Sequence, residues 1–395
     1  THLGYRQYHL PERRRDFLSA FRQVIEDAIE DDVDAVVHAG DLFNDRRPGL
    51  ADLRGTISVL ETLRSADIPF LAVVGNHEDA RDGQWIDLFE QLDLATHLDG
   101  AGTTIGNTTF YGLDYVPRAK RDARSFEFDP PVTDHAALVT HGLFEPFPHG
   151  DWDLEAILEA TAVDFDAALL GDDHVPDQRR VGDTWATYCG STERTSASER
   201  EPRGYNLVTF DGEVAITRRD LDTRDFAFID VELAPSEGDA IVRERIREAD
   251  VADAVLIVTI EGEGDPIPPA DLEAVGEAEG ALVTRVNDRR EREGESDPES
   301  AVSFADPEEA VTERVRSMGL SEAARSIEEL VRDPDLARSN LRDRVIEEVT
   351  DRLDDPEAFE PAGTEPTDDP KAGSKSDGAK RGSTDVRNAT MEEFL

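Results

Sequence analysis

The sequence predicts an α/β protein with more than one folded part, and three observations lead to this prediction. Apolar residues recur at helical spacing over residues 14–30 and 52–66, and each of these segments precedes a short strand-like run, at 34–38 and 69–74. The 395 residues exceed the length of one ordinary domain. Hydrophobic residues make up 38% of the chain, which is enough for a buried core.

Strand-like runs dominate the middle of the chain, where only residues 153–162 have a clear helical pattern. These runs cover residues 108–113, 136–140, 167–170, 185–188 and 205–210. A smaller unit follows in which strand, helix, strand, helix and strand alternate, at residues 226–233, 240–249, 255–261, 270–276 and 281–287. We therefore expect a layered α/β domain followed by a second, small α/β domain.

The C-terminal part of the chain changes character several times. Residues 288–302 are almost all charged or small, which indicates a linker or a solvated loop. Helical periodicity returns over residues 307–353, and the tail that follows is mostly too polar to fold. The predicted segments are 1–222 and 223–290 for the two α/β domains, 291–355 for a linker and helices, 356–385 for a disordered linker, and 386–395 for a partly apolar end.

Acidic residues outnumber basic ones by 89 to 42, which gives a formal net charge of −47 at pH 7. In molar salt the Debye length is only ~3 Å and this self-repulsion is screened, so the composition is typical of a protein from a very salty cytosol. The alternative, a disordered acidic protein, conflicts with the hydrophobic periodicity. We expect a halophilic, soluble, cytoplasmic protein, because no apolar run reaches the ~20 residues of a membrane span and no signal peptide is visible.

Side chains that commonly bind metals follow several of the predicted strands. The lone Cys189 excludes a cysteine-built zinc site, so a metal would need His, Asp, Glu or Asn. Because the carboxyl ends of neighbouring strands meet at one crevice, these side chains are expected to converge. The set suits Mn²⁺ best, with Zn²⁺ or Fe²⁺ as alternatives. The candidates are His2, Asp41, Asn76, His77, His141, Asp172 and His174.

Taken singly, each of these residues has an ordinary structural explanation: an aspartate after glycine often caps a helix, and a lone histidine is often a buried, hydrogen-bonded one. Their order along the chain is more specific. It runs Gly-Asp41, Gly-Asn76-His77-Glu, Thr-His141-Gly and Gly-x-x-His174. This order resembles the calcineurin-like metallophosphoesterases, which implies a four-layer αββα core.

Within that superfamily, the segments Thr1-His-Leu-Gly-Tyr-Arg-Gln-Tyr8 and Tyr188-Cys-Gly-Ser-Thr-Glu-Arg194 are similar to the DNA double-strand-break repair nucleases of the Mre-eleven/SbcD family. The resemblance covers residues 1–220 and extends more loosely to the small domain, which resembles the capping domain of that family. It implies two Mn²⁺ ions per chain, with Mg²⁺ as an alternative. It also implies a two-metal hydrolysis of phosphodiesters.

The resemblance implies a role for each candidate residue. Asp41 would be shared between the ions, with His2 and His174 on one ion and Asn76, His141 and Asp172 on the other. His77 would approach the scissile phosphate as the catalytic residue. Two departures stand out: Asp172 occupies a position where the family usually has histidine, and the family's first ligand, an aspartate, would fall before Thr1. We expect a short N-terminal segment to be missing.

The implied activity is a Mn²⁺-dependent 3′ to 5′ exonuclease on double-stranded DNA and an endonuclease on single-stranded DNA. The implied partners are an SbcC-like ABC-type ATPase, docked through helices near 321–350, and a second copy of the chain in a homodimer. Residues 388–395 resemble a sliding-clamp-binding peptide anchored by Met391 and Phe394. Basic spots such as Arg46-Arg47 and Arg194 with Arg200 and Arg203 are candidate DNA contacts. The alternative is that they are surface charges that balance acidic neighbours.

Two other functions stay open on the sequence alone. One is another metallophosphoesterase that acts on small phosphoesters, for which the extra domain would be unnecessary. The other is a repair scaffold with weak catalysis, which the substituted ligand at Asp172 would favour. Packing of the C-terminal apolar stripes back onto this protein is likewise an alternative to docking on an ATPase.

Overall fold

The computed structural model describes residues 1–79, 83–121, 126–264 and 266–290, together with residues 321, 323, 324, 326, 327, 344, 345, 348–350 and 352. The predicted linkers at 291–302 and 356–385 and the peptide 388–395 lie outside the described residues. The chain divides into two compact units, one formed by Thr1–Ala301 with Leu330–Glu347 and the other by Val302–Glu329 with Glu348–Leu395.

The helices are a 3₁₀ turn at Gln7–His9 and α1 (Pro11–Glu30), α2 (Leu50–Ser65), α3 (Trp85–Gln91), α4 (Arg118–Arg121), α5 (Leu154–Glu159), α6 (Asp239–Glu248) and α7 (Pro269–Ala278). The strands are β1 (Val36–His38), β2 (Phe70–Ala72), β3 (Thr96–His97), β4 (Thr103–Ile105), β5 (Thr108–Leu113), β6 (His135–His141), β7 (Phe144–Glu145), β8 (Trp152–Asp153), β9 (Ala167–Gly171), β10 (Asp177–Val181), β11 (Thr184–Tyr188), β12 (Gly204–Asp211), β13 (Glu213–Asp220), β14 (Phe226–Leu233), β15 (Val255–Gly262) and β16 (Val283–Asp288).

The first two layers of the large domain are a layer of helices and a parallel three-stranded sheet of order β1-β2-β3. Helix α1 begins with Pro11, whose fixed φ suits the first helical position. Its buried residues Phe17, Phe21 and Ile25 recur at helical spacing and join one apolar cluster with Phe70 of β2. Helix α1 therefore covers the outer face of this sheet.

A second sheet of order β10-β11-β9-β6-β5-β4 stacks on the first. Its strand β6 alternates sides: Ala137 and Val139 pack with Leu71 and Val73 between the sheets, whereas Leu138 faces the other way. On that outer face Leu154 of α5 packs with residues of β9 and β11. The order of layers is helix, sheet, sheet, helix, which confirms the predicted four-layer core.

The small domain is a βαβαβ unit with a parallel sheet of order β14-β15-β16. Every second residue of β15, including Leu256 and Val258, packs under α6 and α7. The alternate residues Val255 and Ile257 face Leu10 and Phe226 in a separate cluster. Both faces of the strand are buried, which explains its continuous apolar sequence.

Of the elements that were not predicted from the sequence, the three longest are α3, β10 and β13, and each of them lacks a clear apolar signal. Helix α3 has seven residues and buries only Ile86 and Phe89, which is too short for periodicity to appear. Strands β10 and β13 carry adjacent arginines and form antiparallel hairpins with β11 and β12. Their pairing comes from the hairpin turn and from backbone hydrogen bonds, so their polar side chains remain at the surface.

Part of the predicted C-terminal helical hairpin is described. Residues 323, 324, 326 and 327 are helical, and so are residues 348–350 and 352. The hydroxyl of Ser326 donates to the carboxylate of Glu348, which also accepts a hydrogen bond of 2.9 Å from Arg352. These contacts bring the two helical stretches together. Across the described residues, no helix has the length and apolar character needed to cross a bilayer.

His97 joins α3 to Asp114, the residue directly after strand β5. Its Nδ1 lies 3.1 Å from Asp87 Oδ1 and its Nε2 lies 3.0 Å from Asp114 Oδ1, so both ring nitrogens donate to carboxylates. The hydrogen bond with Asp114 outweighs partial burial and, with Asp87, raises the pKa of His97 to about 9. A raised folded-state pKa contributes stability that is complete below the unfolded value of about 6.5 and is lost as pH rises through about 9.

Replacing this histidine in the variant His97→Gln should therefore cost most stability at pH 6 and little at pH 10. We expect ~1–2 kcal/mol at pH 6, allowing for the solvent screening of a partly exposed pair. Urea unfolding of both proteins in molar KCl at the two pH values measures this difference. The variant His149→Gln, at an exposed turn, is the control. A stability loss that is the same at pH 6 and pH 10 would contradict the charged His97.

Candidate metal centre

The predicted site residues lie on loops that follow parallel strands, as their positions in the sequence suggested. Asp41 comes after β1, Asn76 comes after β2, His141 ends β6, and Asp172 comes after β9. His2 reaches the same place because the chain after it pairs with the Asp41 loop through a bridge between Leu3 and Phe43. The carboxyl ends of strands from both sheets thus meet at one crevice.

Glycines allow these loops to approach one another closely. Gly40 has a φ of +89°, and a Cβ there would lie 2.5 Å from His141 Nδ1. A Cβ on Gly75 would lie 2.2 Å from Asp41 Oδ1. Any side chain at either position would push candidate ligands apart, which explains why glycine precedes Asp41 and Asn76. Three of the candidates, His2 (φ 53°), Asp41 (φ 58°) and Asp172 (φ 98°), have a positive φ, a strained conformation that often occurs at functional sites.

One group of donors forms around His2. Its Nε2 lies 2.9 Å from His174 Nε2 and 3.9 Å from Asp41 Oδ2. The side chains of His2 and Asp41 are each only 5% exposed, whereas that of His174 is 31% exposed, so the group opens to solvent on the His174 side. Two imidazoles and one carboxylate therefore converge on one small volume.

A second group forms around His141. Its Nε2 lies 3.0 Å from Asn76 Oδ1, 3.5 Å from Asp41 Oδ2 and 3.8 Å from Asp172 Oδ1. Its other ring nitrogen, Nδ1, donates to the backbone carbonyl of Ala39 at 2.7 Å. That bond holds the ring with Nε2 directed at the three oxygens. Oxygen donors dominate this group, which suits Mn²⁺ or Mg²⁺.

Asp41 belongs to both groups, and the spacing of the donors fits divalent ions. In octahedral coordination with bonds of about 2.1 Å, neighbouring donor atoms lie about 3 Å apart. The separations of 2.9 Å between His2 and His174 and 3.0 Å between His141 and Asn76 match this value. The donor atoms of Asp41, His141 and Asp172 lie within 4.8 Å of one another, as do those of His2, Asp41 and His77. The residues present therefore fit two metal ions that share Asp41.

His77 lies at the rim of the same site. Its Nδ1 lies 2.8 Å from the carbonyl oxygen of Asn44, which can only accept, so Nδ1 carries a hydrogen. Its Nε2 lies 3.9 Å from Asp41 Oδ2, and the Nε2 of His2 lies at the same distance from that oxygen. The side chain of His77 is 20% exposed, which lies between the 5% of His2 and the 31% of His174, both ligand candidates. Its distance from Asp41 and its exposure both fall within the range of the ligand candidates, and its exposure leaves room for contact with a substrate.

Burial and charge set the protonation of the site in the absence of metal. Burial holds the pKa of His2 well below its ordinary value, so this imidazole is neutral. Burial alone would raise the pKa of Asp41, but His141 beside it brings that pKa well below the usual range. Burial lowers the pKa of His141, yet the Asp41 carboxylate more than offsets this and raises it to about 9. His141 must release a proton before its Nε2 can bind an ion, so metal affinity should fall at low pH.

Several buried residues around the site were not predicted. Glu78 accepts backbone hydrogen bonds from Leu42 at 3.2 Å and from Phe43 at 3.0 Å, which holds the Asp41 loop. Burial, with the charge of Asp41, raises the pKa of Glu78 to about 7. The sequence signal for Glu78 was its place at the end of the segment Gly-Asn-His-Glu. Glu199, which contacts His174, has no comparable signal because it follows no recognisable motif.

The interpretation of Arg194 and Arg203 as DNA contacts is wrong. Arg203 is 2% exposed and pairs with Glu199 at 3.0 Å. Arg194 is 9% exposed and lies over the ring of Phe226, while its Nε donates to the carbonyl of Glu199 at 2.9 Å. Both guanidinium groups are used inside the protein. Glu199 is close to both in sequence, but Phe226 and the His174 carbonyl come from other segments, so sequence alone could not separate these arginines from surface ones.

Comparison with known proteins identifies the family. Residues 1–176 match the calcineurin-like phosphoesterases. The DNA double-strand break repair protein Mre11 of Halobacterium salinarum is 57% identical over 360 residues, which are 90% of this chain and 93% of that protein. The chain belongs to the Mre11 family. The Mre11 protein of Haloferax volcanii is 58% identical over 361 residues, 91% of this chain and 82% of that protein. For the Mre11 protein of Methanosarcina acetivorans the identity is 43% over 367 residues, 89% of this chain and 59% of that protein.

Membership of the Mre11 family confirms the resemblance seen in the sequence. The chain is a metal-dependent phosphodiesterase of the nuclease type and comes from a halophile, as the two halophilic relatives and the acidic composition indicate. Divalent metal use follows from the phosphoesterase family together with the donor groups around Asp41.

Proposed function

We propose that this Mre11-family chain is a Mn²⁺-dependent nuclease of DNA double-strand break repair. It degrades double-stranded DNA from 3′ ends, cuts single-stranded DNA internally, and works in the cytoplasm at the nucleoid. The observation that carries this proposal is the position of Asp41, whose buried carboxylate is common to two groups of metal-type donors. The printed function of the similar proteins, DNA double-strand break repair, supports the choice of DNA as substrate.

In this proposal each ion has its own ligands besides Asp41. His2 and His174 belong to one ion, and Asn76, His141 and Asp172 belong to the other. When bound, the two ions supply the Lewis acidity and positive charge that phosphodiester hydrolysis needs near neutral pH. Asp172 contributes a carboxylate in place of the imidazole usual in the family, which favours Mn²⁺ or Mg²⁺ over Zn²⁺.

His77 acts on the substrate in this proposal. The Asn44 carbonyl holds its ring by Nδ1, so Nε2 faces the space next to Asp41 where a phosphate would lie. From there a protonated Nε2 can donate to a phosphate oxygen or to the leaving oxygen of the DNA strand. Partial exposure leaves room for that contact, whereas the more deeply buried His2 has none.

Arg46 and Arg47 are the proposed first contacts for the DNA backbone. Both are exposed, and they follow closely after Asn44, whose carbonyl orients His77. In molar salt the counterion-release contribution to DNA affinity is small, so direct phosphate contacts close to the site matter more. The buried pair Arg194 and Arg203 takes no part in this contact.

Cleavage of two substrates tests the proposed function against the alternatives. A 5′-labelled DNA duplex and a chromogenic phosphomonoester are incubated with the protein and Mn²⁺ in molar KCl. We expect shortening of the duplex and weak or absent turnover of the monoester. Rapid monoester turnover with intact DNA would favour a small-molecule phosphoesterase. Mn²⁺ binding with neither activity would favour the scaffold with weak catalysis.

A homodimer is part of the proposal, and its contact face is supported by exposed apolar side chains. Three of these occur on α2 and at the end of α3: Leu50 at 73% exposure, Leu88 at 37% and Leu92 at 42%. Two hydrogen bonds link the ends of these helices: the Trp85 indole donates to the carbonyl of Arg46, ahead of α2, at 3.0 Å, and Arg64 of α2 donates to the carbonyl of Leu92, just after α3, at 3.2 Å. Apolar side chains exposed on adjacent helices are typical of a self-association surface.

The double variant Leu88→Glu, Leu92→Glu should therefore shift the protein from dimer to monomer, since burying two carboxylates in an apolar contact is unfavourable. Light scattering of the purified protein in molar KCl measures the mass. The control is Val132→Glu, which changes a side chain that is 85% exposed elsewhere on the domain. An unchanged mass for the double variant would rule out this face.

The other partners proposed are an ABC-type ATPase and a sliding clamp. The ATPase would dock on helices near 321–350, of which a few residues are described, including buried Ala323. The clamp would bind residues 388–395, which lie outside the described residues. Calorimetry of a 388–395 peptide against a clamp, with Met391→Ala, Phe394→Ala as the control, decides the second proposal.

A further inference from the structure

One buried carboxylate that is not among the proposed metal ligands lies against one of them, His174. Glu199, whose side chain is 8% exposed, has its Oε1 3.2 Å from His174 Nδ1. The hydroxyl of Thr195 lies between the two groups, 2.7 Å from His174 Nδ1 and 2.6 Å from Glu199 Oε1. Three polar groups therefore meet on the side of His174 that faces away from His2.

The direction of these hydrogen bonds follows from what each group can donate. An ionised carboxylate only accepts, so the Thr195 hydroxyl hydrogen must point at Glu199. The hydroxyl oxygen is then free to accept, and His174 Nδ1 must carry the hydrogen that it accepts. In the neutral imidazole this leaves a lone pair on Nε2, the atom 2.9 Å from His2 Nε2.

The position of Glu199 is itself well determined. Its Oε2 accepts from the Thr195 backbone N–H at 3.1 Å and from Arg203 Nη1 at 3.0 Å. The same Arg203 nitrogen donates to the backbone carbonyl of His174 at 3.1 Å. The buried guanidinium of Arg203 thus holds both the carboxylate of Glu199 and the backbone of His174.

The opposing imidazole has no such support. Within the described residues, His2 Nδ1 is buried without a hydrogen-bond partner. No described group therefore holds the His2 ring on the side away from His174, and preorganisation of this pair of imidazoles comes from the His174 side.

We propose that Glu199 is the positioning residue of His174: directly and through Thr195, it fixes the ring orientation and keeps the Nε2 lone pair available to the ion shared with His2 and Asp41. This inference rests on the proposed function, in which His174 is a ligand. Hydrogen-bond partners of ligating histidines typically contribute 10- to 100-fold to metal affinity.

Mn²⁺ titration of the full chain in molar KCl, followed by the electron paramagnetic resonance of free Mn²⁺, tests the proposal. We expect Glu199→Gln to weaken one of two sites by roughly 10- to 100-fold. The matched control is Glu193→Gln, at a glutamate that is also buried, pairs with Arg13 at 3.1 Å and has no hydrogen bond to His174. It should bind Mn²⁺ as the parent protein does, even if it unfolds more easily.

Thr195→Val and Thr195→Ser provide a second comparison that leaves the Glu199–Arg203 pair intact, should Glu199→Gln fail to fold. The valine variant should lose less affinity than Glu199→Gln, since the direct 3.2 Å contact stays, and the serine variant should restore the parent value. In chelator-treated protein, ¹⁵N shifts of His174 should report hydrogen on Nδ1 in the parent protein and a mixture of tautomers in Glu199→Gln.

His174→Ala in the same titration separates the ligand role of His174 from the positioning role of Glu199. If His174→Ala loses a site while Glu199→Gln and Thr195→Val bind like the parent protein, the positioning role is wrong and the ligand set stands. If His174→Ala retains both sites at parent affinity, the ligand assignment and the positioning role both fail.

Discussion

The variant Asp41→Asn is expected to lose Mn²⁺ binding at both sites and nuclease activity by about 10³-fold or more. The loss is large because this one carboxylate faces His2 at 3.9 Å and His141 at 3.5 Å, so its charge serves both donor groups. Several kcal/mol of transition-state stabilisation depend on the ions, and each 1.36 kcal/mol corresponds to tenfold in rate. No other described residue belongs to both groups of His, Asp and Glu donors.

Asparagine is chosen because it preserves shape and can still accept the His77 backbone N–H that now bonds Asp41 Oδ1 at 3.0 Å. Calorimetric titration with Mn²⁺ gives the number of bound ions, and cleavage of labelled duplex DNA gives the rate. Asp45→Asn, at an exposed position of the same loop, is the control and should retain both. If Asp41→Asn binds two ions at parent affinity, Asp41 is not the ligand shared by both ions.

The second large effect is expected for His77→Ala, which should reduce the cleavage rate by about 10²- to 10⁴-fold while both Mn²⁺ ions remain bound. The structure makes this split informative, because His77 Nε2 is as close to Asp41 as His2 Nε2 is. A ligand role and a substrate role for His77 are therefore distinguished by the ion count and not by distance.

Single-turnover cleavage at saturating Mn²⁺ gives the rate, and the same titration used for Asp41→Asn gives the ion count. His149→Ala, an exposed histidine on a turn, should match the parent protein in both measurements. Loss of one ion in His77→Ala would make His77 a ligand. A parent-like rate would exclude any catalytic part for it.

Local sequence was sufficient for much of the fold and for the candidate metal residues. Alternating helix and strand patterns predicted α1, α2 and the βαβαβ unit, because burial of one face imposes a period that each segment carries by itself. The Gly-Asp41 and Gly-Asn76 pairs were recognisable for a similar reason: glycine and ligand are adjacent, and the close approach that requires glycine is a local property.

Residues whose role depends on a distant partner were not predictable in the same way. Arg13 and Glu193 form a buried ion pair at 3.1 Å between segments far apart in the chain. Such a pair leaves no periodic pattern, and either residue looks like an ordinary surface charge in sequence. Arg194 was misinterpreted for this reason, since only its burial against Phe226 shows that it does not face DNA.

By itself the sequence determined which chemical groups lie at the ends of the strands. The apolar period of each strand and the placement of glycine next to several ligand candidates are properties of neighbouring residues. Only the tertiary structure decided how those groups face one another: that Asp41 lies between two donor groups, and that Glu199 and Thr195 stand behind His174. The physical reason is that hydrogen-bond direction, burial and charge pairing depend on distances between segments remote in sequence, which exist only after the layers have packed.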